Sequence, residues 1–423
     1  MASLQIKPIL HPLDGYIKVP GSKSLTNRAL LIASLANGVT SLANALFSDD
    51  SYYFAKALQA VGFDIQMNET KHEIRVVGLG GKIPASAAEL FIGNAGTAAR
   101  FLCAFLTLGN GKYILDGDTR MRQRPINDLV NALTQLGADL ETTNAHLPLR
   151  MKASGLHGGK TRIVGHVSSQ FLSALLMITP YAHGPVEIEV LTELNSKPYI
   201  DMTLAVMKDF GLEIEHHGYS KFTISPAAYS PCAIYKIESD ATAGSYFFAA
   251  PAICGGRVSV ENISRKSVQG DIGFLNVLQR MGCTVVETNH HILVTGSTQL
   301  RGVDINMSDI PDTAQTLAVI APFASSPTRI RGIASARAKE TDRVSATCSE
   351  LKRLGVPVDE HEDGMTVYPC QVFQPAAIQT YNDHRMAMAF SLIGLRVDGV
   401  TIEDAACVSK TFPDFFQVLD NLR

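Results

Sequence analysis

Cations stand beside small polar residues at several points of this chain, in the pattern that anion binding requires. Lys23 and Arg28 follow the turn residues Pro20 and Gly21 and open an apolar run that closes on Gly38. Arg120, Arg122 and Arg124 fall within five residues, Arg337, Lys339 and Arg343 within seven, and His384 adjoins Arg385. Lys410 lies near the C-terminus. Guanidinium groups grip carboxylate or phosphate through paired hydrogen bonds, and a helix N-terminus favours negative charge through its dipole and unpaired N–H groups. Gly21 permits a sharp turn, and Ser22 and Ser24 are candidate N-caps. Taken alone, the stretch reads first as a capped helix with a solvated lysine and arginine, and second as an anion site. Its spacing is not that of a P-loop, which ends in Gly-Lys-Ser/Thr.

These residues sit in a chain of 423 residues with 46% apolar and 18% charged content, long enough for two domains with a sizeable core each. No apolar run approaches the length of a membrane span, and MASLQIKPILHPLDG lacks a cleavable apolar core or an Arg-rich pattern, so the cytoplasm is the expected compartment. A formal net charge of -3 gives no general attraction to nucleic acid, and no basic run is interleaved with aromatics. The seven cysteines are scattered without metal-ligand spacing and read as reduced core thiols.

A polar turn, an apolar helix and a glycine recur along the chain at intervals of about 72 residues. After Gly21 the copies start at Gly93, Ser168, Ser239, Pro311 and Asn382. A more amphipathic second helix follows in each copy and closes on a glycine, as at Gly62, Gly137, Gly211, Gly282 and Gly355, and a short alternating strand comes next. The first helix of each copy is apolar nearly all round and should be buried. The terminal copies are as apolar as the middle ones, which argues against a solenoid with polar caps and for two domains of three units. If the buried helices of a domain run parallel, their N-termini face the gap between the domains. The starts carry Lys23, Ser24, Arg28, Asn94, Thr97, Arg100, Ser168, Ser169, Gln170, Asp240, Asp312, Asp383, His384 and Arg385. Asp240, Asp312 and Asp383 are equally at home as N-caps, His384 as a packed histidine, and Arg124 as a solvated loop residue.

The motifs PGSKSLTNRALLIA, GNAGTAAR, RQRPI, SSQFLSALL, SKPYID, IPDTAQTLA, RAKETDR, YNDHRMAMAF and SKTFPDFF, in this order over essentially the whole length, make the chain resemble the enolpyruvyl transferases, in the branch that acts on shikimate 3-phosphate. The resemblance implies an α/β fold, a two-domain inside-out α/β barrel of six βαβαββ repeats. One domain would comprise residues 1–20 plus 240–423 and the other 21–239, with the active site in the interdomain cleft. It implies transfer of the enolpyruvyl group of phosphoenolpyruvate to shikimate 3-phosphate through a tetrahedral intermediate, by a monomer without metal or cofactor. Phosphoenolpyruvate would be held by Lys23, Gly96, Arg124, Gln170, Arg343, Arg385 and Lys410. Shikimate 3-phosphate would be held by Lys23, Ser24, Arg28, Ser168, Ser169, Gln170, Ser196, Tyr199, Asp312, Ser335 and Lys339. Asp312 is the expected base and Glu340 the expected proton donor, with Lys23 able to shuttle protons and His384 auxiliary.

Two positions depart from the family pattern. Phe101 follows GNAGTAAR where proline is often found, and Ser335 stands where many members have asparagine. Because Gly96 presents no side chain, glyphosate remains an expected inhibitor at the phosphoenolpyruvate position. Two rival readings are a UDP-N-acetylglucosamine enolpyruvyl transferase and a non-catalytic repeat scaffold that binds phosphorylated ligands. The first uses a loop cysteine about where Thr119 stands, and no cysteine lies between Cys103 and Cys232. The second has no need of an acid–base pair among its cations.

Overall fold

The computed structural model describes residues 3–289 and 291–422. The chain divides into two compact units, one running from Gly21 to Ile237 and the other joining the segment up to Pro20 with everything from Glu238 onward. In the first unit three helices, α1 (Lys23–Leu35), α3 (Gly96–Phe105) and α5 (Ser169–Ile178), pack on one another. Between them lie α2 (Asp49–Ala60), touching α1 and α3, α4 (Asn127–Gln135), touching α3 and α5, and α6 (Pro198–Asp209), touching α5 and α1. The cause is the apolar content of the first three. Every residue of α3 and all of α1 from Leu25 onward are buried. Each fully buried Leu, Ile or Phe side chain contributes roughly 1.5–3 kcal/mol, so no face of these helices can be left to solvent.

The second unit repeats the plan with α7 (Ala241–Cys254), α9 (Ala314–Ile320) and α11 (His384–Gly394) packed together. Here α8 (Phe274–Arg280) packs on α7 and α10 (Arg343–Arg353) on α9, while α12 (Phe415–Asp420) ends the chain. Four of the second helices and the one following α9 run out at glycines with positive φ, from 77° at Gly355 to 108° at Gly282, a conformation that ends a helix at little steric cost.

The strands of the described residues form six separate small sheets. They do not join into one hydrogen-bonded barrel. In a complete repeat the leading strand runs parallel to the strand after the first helix, and a hairpin follows antiparallel, as in 87–91, 110–116, 146–154 and 139–143. Five of the six sheets hold the four strands of a βαβαββ repeat, two of them with a leading strand drawn from elsewhere in the chain, and the sixth holds three. The first repeat takes its leading strand from Ile234–Lys236, parallel to Ser41–Ala43. The fourth takes Leu13–Ile17, parallel to Gly256–Val260. The sixth has no hairpin, and its three-stranded sheet is completed by Leu4 and Gln5.

All seven cysteines are free, but only Cys103, Cys283 and Cys348 are buried, so the core-thiol reading holds for three of them. No helix of the described residues is long and apolar enough to cross a membrane.

Gly21 sets the entry to α1. A Cβ there would lie 1.8 Å from the Asn44 carbonyl oxygen, and backbone cannot swing aside as a side chain can. Gly21→Ala should therefore destabilise the protein by about 3 kcal/mol, read as a lower urea midpoint with unchanged slope. A midpoint like that of the wild type would contradict this packing.

Candidate active site

In the unit from Gly21 to Ile237 the helix starts are tied together by side-chain hydrogen bonds. Ser22 caps α1 by accepting from the Leu25 N–H, and Ser168 caps α5 by accepting from the Gln170 N–H. Gln170 Nε2 donates to Thr97 Oγ1 at 3.2 Å, joining α5 to α3. Arg28 Nη2 donates to Ser173 Oγ at 3.2 Å, joining α1 to α5. The N-terminal turns of the three core helices therefore stand side by side, with their dipoles and free N–H groups adding. Ser24 lies inside the first turn of α1, where its carbonyl accepts from Arg28.

Lys23 Nζ lies 3.8 Å from Asp50 Oδ2 at the start of α2. Arg124 is buried, with Nη1 donating to Asn94 Oδ1 at 3.0 Å and to the Asn94 carbonyl at 3.2 Å. Its guanidinium lies directly over Gly96, where a Cβ would come within 2.4 Å of Nη2. The other two arginines of that loop serve the loop itself: Arg122 pairs with Asp116 and Arg120 donates to Gln123. Ser169 and Ser196 are buried, and Ser196 holds φ 58°, a conformation unusual for a residue with a side chain. Tyr199, one turn further on, is joined to Arg28 through its carbonyl.

The other unit holds a buried charge network. Arg343, at the first position of α10, donates from Nε and Nη2 to both Asp383 oxygens at 2.8 and 3.2 Å. Its Nη2 also reaches Glu340 Oε2 at 2.8 Å, and its Nη1 reaches Asp312 Oδ1 at 3.0 Å. Arg385 Nη2 donates to Asp312 Oδ2 at 2.8 Å, so Asp312 bridges two arginines. Burial alone would loosen the Arg343 proton, but Asp383, Glu340 and Asp312 outweigh it and hold the proton more tightly than usual. Lys410 ends a 3-10 turn over 405–410 and is buried, while Ser335 within the 3-10 turn over 334–338 and Lys339 just after it are half-buried. Arg337 pairs instead with Asp342 and Glu360.

The capping alternatives divide. Asp240 caps α7 and Asp383 caps α11, whereas Asp312 sits in a 3-10 turn ahead of α9 and turns its carboxylate to the arginines. His384 is fully buried in the first turn of α11, with Nδ1 3.6 Å from Asp383. Among the described residues no group of His, Cys, Asp and Glu is placed to hold a metal ion.

Sequence reading missed Asp50, the partner of Lys23, and Asp271. Asp271 lies in the turn before α8, accepts from Thr242 Oγ1 at 2.5 Å and is buried. Burial, and next the negative charge of Asp312, raise its carboxyl from the ordinary 3.8 to about 6, against the Thr242 hydrogen bond and Arg385. Neither aspartate stands in a repeat start or a cation cluster, so neither carried a local signal.

The fold is that of the enolpyruvyl transferases. A solved EPSP synthase from Acinetobacter baumannii superposes with a TM-score of 0.83 at 25% identity, covering 100% of this chain and 98% of that one. An enolpyruvyl transferase from Streptomyces tendae, at 17% identity, shares the fold with a TM-score of 0.80 over 99% of this chain and 97% of that one. Residues 8–419 match the profile of the EPSP synthase (3-phosphoshikimate 1-carboxyvinyltransferase) family. A 3-phosphoshikimate 1-carboxyvinyltransferase of Nostoc punctiforme is 48% identical over 418 residues, 98% of either chain. The chain belongs to the EPSP synthase family.

Asp271 carries a pH signature. Its folded pKa lies above the unfolded one, so between about pH 4 and 6 the unfolded chain gives up a proton that the folded chain keeps, and stability falls as pH rises through that window. Asp271→Asn should remove on the order of 2 kcal/mol of that decline, measured by urea unfolding of both proteins at pH 4 and pH 6.5. Parallel pH dependences would contradict the raised value.

Proposed function

We infer that the protein is a 3-phosphoshikimate 1-carboxyvinyltransferase, transferring the enolpyruvyl group of phosphoenolpyruvate to the 5-hydroxyl of shikimate 3-phosphate and releasing phosphate. Membership of the family over nearly the whole chain supports the activity. The observation that carries the chemistry is the buried Asp312–Arg343–Glu340 constellation, in which two carboxylates of different surroundings share one guanidinium.

Lys23, Arg124, Arg343, Arg385 and Lys410 supply positive charge to phosphoenolpyruvate, with Gln170 beside them and Gly96 allowing Arg124 a close approach. Ser168, Ser169, Ser196, Ser24, Arg28, Tyr199, Ser335 and Lys339 receive the phosphate, ring and carboxylate of the sugar-acid substrate. In the addition step Asp312 accepts the proton of the 5-hydroxyl as its oxygen bonds to C2 of phosphoenolpyruvate. Glu340 delivers a proton to the C3 methylene, making a methyl group and a tetrahedral carbon. In the elimination step a methyl proton returns to a carboxylate, the C2–O bond to phosphate breaks, and the arginines stabilise the departing phosphate. Lys23 can pass protons between these groups. Glyphosate is proposed as an inhibitor at the phosphoenolpyruvate position, and the monomer as the working form.

The test is phosphate release from shikimate 3-phosphate and phosphoenolpyruvate. No release there, with turnover of UDP-N-acetylglucosamine, would overturn the reading; binding of both phosphates without turnover would favour the scaffold. Lys23→Ala and Glu340→Ala should each lower turnover by about 10²–10⁴-fold. Arg343 keeps Asp383 and Asp312 when Glu340 is removed, so circular dichroism should show an intact fold. Gly96→Ala should push the flexible end of Arg124 aside and raise the KM for phosphoenolpyruvate by about 10-fold, leaving shikimate 3-phosphate affinity unchanged. Equal KM values in wild type and variant would remove Arg124 from the site.

A further inference from the structure

Arg28 is 1% exposed, and its surroundings differ in kind from those of Arg343. Nε donates to Thr203 Oγ1 at 2.8 Å, Nη1 to the Ser24 carbonyl at 3.0 Å, and Nη2 to Ser173 Oγ and the Tyr199 carbonyl at 3.2 and 3.0 Å. All four acceptors are neutral, and among the described residues no carboxylate forms an ion pair with it. A buried cation without a counter-ion is unfavourable. Accordingly, burial lowers the Arg28 proton affinity to about 10.

What faces the charge instead is aromatic. The guanidinium carbon lies 5.5 Å from the ring centroid of Phe101 and 6.0 Å from that of Tyr199. Phe101 is itself fully buried in α3, with the ring of Phe54 at 6.4 Å beside it, so its ring is fixed by packing. An aromatic face carries negative potential and attracts a cation without taking up its charge. A carboxylate in that place would neutralise Arg28 and compete with an incoming anion. Proline, often found at this position in the family, offers no such face.

We propose that Phe101 is a positioning residue for shikimate 3-phosphate: its ring holds the Arg28 guanidinium charged and oriented without a counter-ion, leaving the charge available to the carboxylate of the substrate. The proposal rests on the reading of Arg28 as a binding residue. It separates Phe101 from a core residue that only fills space, because an aliphatic side chain of similar size fills the same volume but presents no negative face.

The experiment compares Phe101→Leu, Phe101→Met and Phe101→Tyr in the full-length protein, by calorimetric titration with shikimate 3-phosphate alone and by steady-state kinetics with both substrates. Leucine and methionine should weaken shikimate 3-phosphate binding by about 3- to 20-fold, while kcat and the KM for phosphoenolpyruvate stay within about twofold of the wild type. Tyrosine, which keeps the ring, should hold wild-type affinity even where its buried hydroxyl lowers Tm. Affinity that follows Tm across the three variants, or that leucine leaves unchanged, overturns the proposal. The underlying reading fails separately: wild-type protein that does not bind shikimate 3-phosphate, or Arg28→Ala that binds it as the wild type does, overturns the role of Arg28 itself.

Discussion

A helix that is apolar on every side must be enclosed, and this requirement governs both units. α1, α3 and α5 can bury all their faces only against one another and against a surrounding layer, as can α7, α9 and α11. The second helices and the small sheets form that layer. Polar side chains that the interior excludes collect at the helix ends, and the N-terminal ends favour anions. The packing problem and the placement of these polar residues therefore have one solution.

Charges drawn into such a place lose most of their hydration, and the two units compensate in opposite ways. Around Arg343 the protein supplies one carboxylate from the same run, at Glu340, and two from other segments, at Asp312 and Asp383. Such a network is costly to desolvate and strongly destabilising to break in part, so it fixes geometry more than it adds stability. Around Arg28 there are neutral acceptors and aromatic faces. The first arrangement ties two arginines to shared carboxylates. The second surrounds the cation with groups that carry no charge.

The repeat was legible because it is written along the chain: a turn, an apolar run and a glycine at a near-constant interval. The residues at the helix starts were legible for the same reason, and the Phe101 departure stood out against a motif. Which aspartate caps a helix and which pairs with arginine was not legible, because Asp240, Asp312 and Asp383 differ only in the backbone that follows them. Asp312 lies within a 3-10 turn ahead of α9, and Asp383 both caps α11 and binds Arg343. Asp50 and Asp271 were missed because their partners come from other parts of the sequence, which no local spacing reports. The borrowed leading strands were hidden likewise, since strand pairing at long separation leaves no periodic trace.

Those borrowed strands bear on how the protein emerges from synthesis. The unit from Gly21 to Ile237 is continuous, and its closing strand, Ile234–Lys236, is also almost its last segment. It can complete its sheets as soon as that segment is available. The other unit cannot: Leu13–Ile17 finds its parallel neighbour only at Gly256–Val260, and Leu4 and Gln5 wait for Thr401 and Ile402. These two strands are thus made long before their partners. A nascent chain must carry them unpaired while a whole unit folds behind them, and the short length of each limits the edge exposed to wrong partners in the meantime.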